Sequence, residues 1–167
     1  MTDRSALAVG LRTGALLLVP GVLAWLSGVP FLFPSLGPSA FLLALRPDAP
    51  ASTPRRVLGG HVIGVLAGLL TYHLLAAGAV ATTVTAGSQA VLWLTTSGSV
   101  ALILTAAGMV ATDTQHAPAC ATTLIVSLGL LTTPLEGAAV VVAVVALLAA
   151  HLGLERVAFA RPNPLGV

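Results

Sequence analysis

The feature that most constrains this chain is its long apolar stretches, which contain almost no charge. Charged residues make up 7% of the sequence, whereas a soluble domain contains about 25%. An apolar stretch of roughly 20 residues is needed to cross the hydrocarbon core of a bilayer as a helix. We predict full spans at Thr13–Ser27 (beginning there or earlier), Val57–Ala77, Gln89–Val110 and Gly137–Leu154. The chain is therefore expected to be an all-α membrane protein with four long transmembrane helices.

Two shorter apolar segments complete the predicted fold. The stretch 28–37 is apolar but too rich in Pro and Gly for a continuous helix, and Pro38 opens a short helix over 39–45. Pro in the first turn of a helix loses no hydrogen bond, because its amide would have no acceptor there. Irregular backbone at membrane depth is tolerated where protein or a wet cavity surrounds it. A break near Gly37 is therefore expected, followed by a half-helix.

The stretch 109–131 predicts a second break of the same kind. Polar residues at 112–116 interrupt an apolar run, and Pro118 then starts a short helix that extends to Leu131. The break is expected at His116–Ala117. The first amides of the new helix, from Ala119 onward, are expected to be free and to point back toward His116.

The two halves of the chain, 1–78 and 86–160, contain these elements in the same order. A shift of 80 residues places Pro38 on Pro118. Each half then reads as a long helix, a break, a short Pro-initiated helix and a long helix. Three crossings per half would invert one half relative to the other, as in many secondary transporters. We predict a single transmembrane domain, 1–167, made of two pseudo-symmetric inverted halves.

The arginines support six segments rather than four. All seven cationic residues are Arg. Cytoplasmic loops of membrane proteins carry an excess of Lys and Arg. Six segments place every arginine on one side, which predicts a multi-pass protein of the cell membrane with both termini in the cytoplasm. The arginines are Arg4, Arg12, Arg46, Arg55, Arg56, Arg156 and Arg161.

The starts of the two short helices predict a binding site for a small anion. A helix N-terminus carries roughly half a positive charge and unpaired amides, and it binds anions without a fixed cation. With inverted halves, the two N-termini would converge near the midplane from opposite sides. The predicted substrate-binding residues are Gly37, Pro38, Ser39, Thr114, His116, Ala117, Pro118, Ala119, Cys120 and Thr123.

Several of these residues also have a structural interpretation. His116 either contacts substrate or a proton, or caps and fixes the break. Asp113 caps the short helix or lies at the cytoplasmic interface, with a proton relay as the alternative. Hydroxyls at Thr123 and Ser127 share a face with Cys120 and either line a pathway or hold helices together. His61 has either a packing role or a functional role, while His73 and His151 are expected to be structural. The glycines Gly60, Gly64 and Gly68 are expected to form a packing seam.

Other functions are less well supported by the residues. Cys120 is the only cysteine, so there is no internal disulfide and no cysteine cluster for a metal. No nucleotide-binding motif is present, and nothing indicates a cofactor or nucleic acid. An intramembrane enzyme using His116 with Cys120 or Asp113, and an assembly subunit without substrate, remain the alternatives to transport. The expected partners are a small anion and the lipid bilayer, and the glycine seam is compatible with a homo-oligomer.

Three stretches of the chain resemble the HPP family of small integral membrane proteins. They are Ser35–Ala40, Pro54–His61 and His116–Thr122. The family is named for a His-Pro-Pro triplet, in which this chain has Ala117 at the first proline. Some members have been linked to nitrite transport in chloroplasts and cyanobacteria. The resemblance therefore implies a helical membrane protein that transports nitrite or another small anion.

Overall fold

The computed structural model describes residues 5–159, with side chains described as far as Arg156. Within this range the chain is all helical, and four helices are long and apolar enough to cross a membrane. The prediction of an all-α membrane protein is confirmed. The helices are α1 (Ala6–Ser27), α2 (Leu36–Leu45), α3 (Pro54–Thr71), α4 (Gln89–Ala111), α5 (Ala119–Ser127) and α6 (Pro134–Phe159), with a 3-10 turn at Pro50–Ser52 and a π turn at Tyr72–Ala76.

The helix ends follow from local sequence. The Ser5 side chain accepts a hydrogen bond from the Ala8 amide and caps α1, as Ser does at many helix starts. Gly28 ends α1 with φ of 69°, a left-handed conformation that costs glycine little. Pro54 and Pro134 open α3 and α6. Helix α1 begins seven residues before the predicted Thr13 and continues through Pro20.

The second segment of the chain runs back along α1. Leu32 lies against Gly21, 3.5 Å from where a glycine Cβ would stand. Ala44, near the end of α2, lines a cavity of about 210 Å³ with Val9 near the start of α1. Residues 28–45 therefore return along the full length of α1, first as irregular backbone and then as α2. The break precedes the predicted position, because α2 begins at Leu36 and holds Pro38 within its first turn.

Helix α5 packs beside α3 and runs in the same direction. Gly60 lies against Ala119, Gly64 against Thr123 and Gly68 against Val126, so the contacts advance together along both helices. A Cβ on Gly64 would lie 2.8 Å from Thr123 Oγ1, and one on Gly68 would lie 2.7 Å from Val126 Cβ. The predicted packing seam is confirmed, since neither position has room for a side chain.

The described arginines gather at one end of the bundle, which we call the arginine end. Arg12 of α1 forms an ion pair with Glu155 of α6, and Arg56 Nη2 lies 2.6 Å from Asp113 Oδ1. Both ends of the described chain therefore lie together there. The group contains Arg12, Arg46, Arg55, Arg56 and Arg156, while Arg4 and Arg161 lie outside the described residues.

The two short helices point in opposite directions relative to the arginine end. Helix α2 ends near it, since Ala44 lies beside Val9, and the chain then enters the loop that precedes Arg55. Helix α5 runs away from it, because it follows α3 outward from Gly60 to Gly68. Opposite directions are what an inverted repeat requires; the repeat itself stays a prediction.

Candidate functional site

Three polar side chains meet between the two broken segments, and we call them the histidine cluster: Ser39, His61 and His116. Ser39 Oγ lies 3.0 Å from the Nε2 atom of each histidine. The two imidazole rings have their centroids 5.3 Å apart. All three side chains are fully buried, with 0% of their surface exposed. Polar groups at membrane depth are costly and mark functional sites by default.

Each member of the cluster comes from a different element. Ser39 lies in the first turn of α2, and His61 lies seven residues into α3, or about 10 Å along its axis from Pro54 at 1.5 Å per residue. His116 lies in the break between α4 and α5. Its Nδ1 atom is held 2.8 Å from the Ala51 carbonyl oxygen, on the 3-10 turn near the arginine end. The cluster therefore lies nearer the arginine end than the predicted midplane position.

His61 makes a second contact through its Nδ1 atom, and the neighbouring Gly60 lets α3 approach His116 and Ala119 closely. His61 Nδ1 lies 2.7 Å from the Thr122 hydroxyl of α5, so both ring nitrogens of both histidines have polar partners. Gly60 allows the close approach, because a Cβ there would lie 3.2 Å from the Cβ atoms of His116 and Ala119. The sequence pattern left the role of His61 open; the structure makes it a member of the cluster, in contact with Ser39.

The first amides of α5 are not free, and this prediction was wrong. The amides of Ala119, Cys120 and Ala121 donate to the carbonyls of the residues three positions earlier, at 2.9, 3.0 and 3.1 Å. The chain already turns at 116–118, so the helix begins with a tight turn that uses these donors. The amides of Gln115, His116 and Ala117, just before the helix, donate no hydrogen bond within the described residues.

The start of α2 shows the same pattern with one addition. The amides of Leu36 and Gly37 donate to the carbonyls of Phe33 and Pro34, at 2.9 and 3.3 Å. Ser35, which precedes the helix, is fully buried, yet its hydroxyl has no hydrogen-bond partner among the described residues. Its carbonyl oxygen lies 3.2 Å from Ser39 Oγ. Ser35 was not among the predicted site residues, although a serine directly before a broken helix is a signal that could have identified it.

The remaining predicted site residues are distributed around the cluster. Thr114 is buried, and its Oγ1 lies 2.8 Å from Thr112 Oγ1. Thr123 Oγ1 lies 2.9 Å from Thr105 Oγ1 of α4, which supports a role in holding helices together. Cys120 is partly buried and has a free thiol. Gly37 and Pro118 are partly buried, Ala119 is buried, and Pro38 and Ala117 are exposed.

The other polar residues singled out by the sequence have structural contacts. Asp113 lies at the arginine end, paired with Arg56 and with Arg55, as the interfacial interpretation predicts. His73 Nε2 lies 2.9 Å from the Thr132 carbonyl at the opposite end of the bundle. His151 lies beside Arg12. No three His, Cys, Asp or Glu side chains converge to hold a metal in the part of the chain that the structure describes.

One of three comparisons with known proteins identifies a family for this chain. A comparison with solved structures gave no match, and neither did one with curated proteins. A family model described as the transmembrane region of HPP matches residues 3–162, nearly the whole chain. It covers α1–α6 together with both breaks. The chain therefore belongs to the HPP family of membrane proteins.

Proposed function

We propose that this protein transports a small inorganic anion across the membrane, with nitrite as the first substrate to test. The observation that carries the proposal is a fully buried polar cluster at the point where two membrane segments are broken. Ser39 and His116 join the two segments there at 3.0 Å. The family membership places the chain in a membrane, and the site supplies the chemistry.

Unused hydrogen-bond donors near this cluster suit an anion. The Ser35 hydroxyl is buried and unpartnered among the described residues, next to the backbone that contacts Ser39. The amides of residues 115–117 likewise donate no hydrogen bond within the described chain. Successive amides at a helix start form a concave group of donors that binds anions. A monovalent oxyanion such as nitrite is small enough to use such donors without a fixed cation.

The cost of the buried, unpartnered Ser35 hydroxyl separates transport from a purely structural role. A buried donor without a partner costs about 1–3 kcal/mol. A subunit that only supported an assembly would be more stable with unbroken helices and no buried serine at position 35. A ligand that accepts a hydrogen bond from this hydroxyl removes the cost while it is bound. The enzyme alternative would pair His116 with Cys120 or Asp113. In the structure, His116 Nε2 instead contacts Ser39 Oγ, and His116 Nδ1 contacts the Ala51 carbonyl oxygen.

The described conformation is closed around the cluster. Ser35, Ser39 and His116 are each 0% exposed, so an anion can enter only when the surrounding elements move apart. Alternation between two such openings around a fixed site is how transporters with broken helices operate. The bonds that His116 makes to α2 and to the 3-10 turn are the contacts that such an opening would break.

Uptake by the purified protein in liposomes tests the proposal. Nitrite, nitrate, chloride and formate are offered at alkaline pH, where the permeant acid forms are scarce, and protein-free liposomes give the background. We expect saturable nitrite uptake above background. Ser35→Ala should reduce it severalfold, whereas Thr95→Ala removes an exposed hydroxyl bonded only within α4 and should leave uptake unchanged. Uptake equal to protein-free liposomes for all four anions would overturn the proposal.

A further inference from the structure

We infer that the histidine cluster is a single-proton site and that the proton it binds crosses the membrane together with the anion. The inference rests on the proposed anion transport and adds the ion to which that transport is coupled. Its basis is the number of hydrogens available for the contacts between Ser39, His61 and His116.

The Ala51 contact fixes the hydrogens of His116. A carbonyl oxygen only accepts, so His116 Nδ1, at 2.8 Å from Ala51 O, must donate to it. A neutral imidazole carries one ring hydrogen, so His116 Nε2 is then an acceptor. Ser39 Oγ lies 3.0 Å from this nitrogen and 3.2 Å from the Ser35 carbonyl oxygen. We assign its single hydrogen to the nearer nitrogen, because His116 Nε2 would otherwise have no hydrogen in its contact with Ser39.

This assignment fixes the hydrogens of His61 as well. The Ser39 hydrogen is used on His116, so His61 Nε2 must donate to Ser39 Oγ. His61 Nδ1 is then an acceptor, and the Thr122 hydroxyl donates to it. In the neutral cluster, four hydrogen bonds follow one another from Thr122 to Ala51, and all of them donate in the same direction. The two histidines are then assigned as opposite tautomers, with the hydrogen on Nε2 of His61 and on Nδ1 of His116.

The Ser35 carbonyl allows a second arrangement of the hydrogen bonds in the cluster. It lies 3.2 Å from Ser39 Oγ but receives no hydrogen from it in the neutral state. When His116 Nε2 takes a proton, this nitrogen becomes a donor to Ser39. The Ser39 hydroxyl then turns and donates to Ser35, so every contact around Ser39 has a hydrogen. One hydroxyl rotation therefore accommodates the added proton.

Ser39 also allows the proton to pass between the two rings. If His61 carries the extra proton on Nδ1, its Nε2 hydrogen moves to Ser39 Oγ while the Ser39 hydrogen moves to His116 Nε2. One N–H and one O–H bond break, and one of each forms. The positive charge moves from His61 to His116, toward the loop at the arginine end. No other reactant is needed.

An anion makes the charged form of the cluster favourable. Burying a single charge of either sign is very costly, whereas a proton and a monovalent anion together are neutral. The unpartnered Ser35 hydroxyl places a donor for the anion one helical turn from Ser39. Proton binding and anion binding therefore strengthen each other by the same factor, and transport of the pair moves no net charge.

No fixed cation replaces the proton in the part of the chain that the structure describes. Helices α2 and α4 carry no titratable side chain, and α5 carries only Cys120. Arg55 and Arg56 pair with Asp113 at the arginine end. The other charged or titratable residues on packed elements are Arg12, Arg46, Asp48, Tyr72, His73, Glu136, His151, Glu155 and Arg156. Arg12 pairs with Glu155 next to His151, Tyr72 and His73 bond to the backbone of Gly78 and Thr132, and Glu136 accepts hydrogen bonds from Thr132 and Thr133.

The coupling is tested by nitrite accumulation in liposomes under two separate driving forces. We expect an inward proton gradient to raise accumulation tenfold or more above protein-free liposomes, and an inside-positive potential alone to have no effect. His61→Gln and His116→Gln keep a polar side chain but cannot carry a proton, and should abolish the response to the gradient. His73→Gln is the matched control and should respond like the natural protein.

The outcomes distinguish the two proposals. Nitrite uptake that follows the membrane potential and ignores the proton gradient overturns the coupling but leaves anion transport standing. No nitrite uptake above background under either force overturns the transport function itself, and the coupling with it.

Nitrogen-15 NMR of histidine-labelled natural protein in micelles tests the proton site without transport or variants. At alkaline pH we expect His61 and His116 to show opposite tautomers. On acidification the pair should take up one proton, and nitrite should move that uptake to higher pH. The same tautomer on both histidines, or two protons taken up regardless of nitrite, would overturn the single-proton site.

Discussion

Ser39 and His116 are 77 residues apart in the chain, yet the serine Oγ and the imidazole Nε2 are 3.0 Å apart. This contact joins the two short, broken segments of the fold directly. His61 of α3 shares the same oxygen, so one hydroxyl connects three elements. The membrane-buried part of the protein is therefore held together at its breaks by polar contacts, where apolar packing alone would not fix a position.

Replacing Ser39 with alanine should destabilise the protein and reduce transport. The change leaves a nitrogen on each histidine without its partner, and an unpartnered buried polar group costs about 1–3 kcal/mol. Thermal unfolding in detergent should show a lower Tm. The exposed Thr95→Ala variant should shift stability by about 0.5 kcal/mol or less. Equal Tm values for the two variants would show that the Ser39 contacts contribute nothing to folding.

The glycine seam between α3 and α5 gives a second stability prediction. Gly64→Ala places a Cβ 2.8 Å from Thr123 Oγ1 and 3.0 Å from the Ala119 carbonyl oxygen, which are both too close. Overpacking of this kind costs about 1–3 kcal/mol. Gly10→Ala is the control, because a Cβ there meets nothing within 4 Å and alanine favours helix by about 0.5–1 kcal/mol. Unfolding measurements should therefore move in opposite directions for the two variants.

Much of this fold could be predicted from the sequence because membrane spans depend on local composition. Apolar length alone located α4, α6 and the span formed by α3 with its π turn to within about five residues at each end. Polar residues beside Pro118 located the second break. The start of α2 was placed two residues late, because Pro38 fits inside a first turn as well as at its first position.

The site was predicted less completely, because it depends on contacts between distant segments. His116 and Ser39 were identified from their positions at helix starts. The role of His61 was left open, since nothing in its neighbourhood along the chain shows that α2 will place a hydroxyl beside it. The free amides at Ala119 were wrongly expected, because whether a helix begins with a tight turn is decided by how residues 116–118 pack.

Accessibility labelling should find the loop at Asp48 and the end of α6 at Arg156 on one side of the membrane. In a Cys120→Ala background, Asp48→Cys and Arg156→Cys place thiols at the arginine end, and Thr85→Cys places one in the loop at the opposite end. An impermeant maleimide added to intact cells should label only position 85, because the positive-inside rule puts the arginine end in the cytoplasm. Positions 48 and 156 found on opposite sides would rule out six segments.

Asp113→Asn should leave transport and its dependence on the proton gradient unchanged. Asp113 is paired with Arg56 at the arginine end, and its side chain is 57% exposed, so the pair contributes little to stability. Asparagine also tolerates the positive φ of 54° at this position. Loss of the gradient response in a well-folded Asp113→Asn protein would instead place Asp113 on the proton path.

His116→Ala separates a functional histidine from a structural one. Alanine removes the contacts to Ser39 and Ala51, while Pro118 still sets the start of α5. If His116 serves the anion and its proton, uptake per folded molecule should fall about tenfold or more, because a hydrogen bond to a charged group is worth about 1.5–3 kcal/mol. His73→Ala removes an exposed histidine at the other end of the bundle and should leave uptake unchanged.

If His116 only fixes the break, the yield and Tm of the His116→Ala protein should fall while the surviving molecules transport normally. Uptake normalised to folded protein, measured beside Tm, therefore decides between the two roles, since only the functional role lowers the normalised rate.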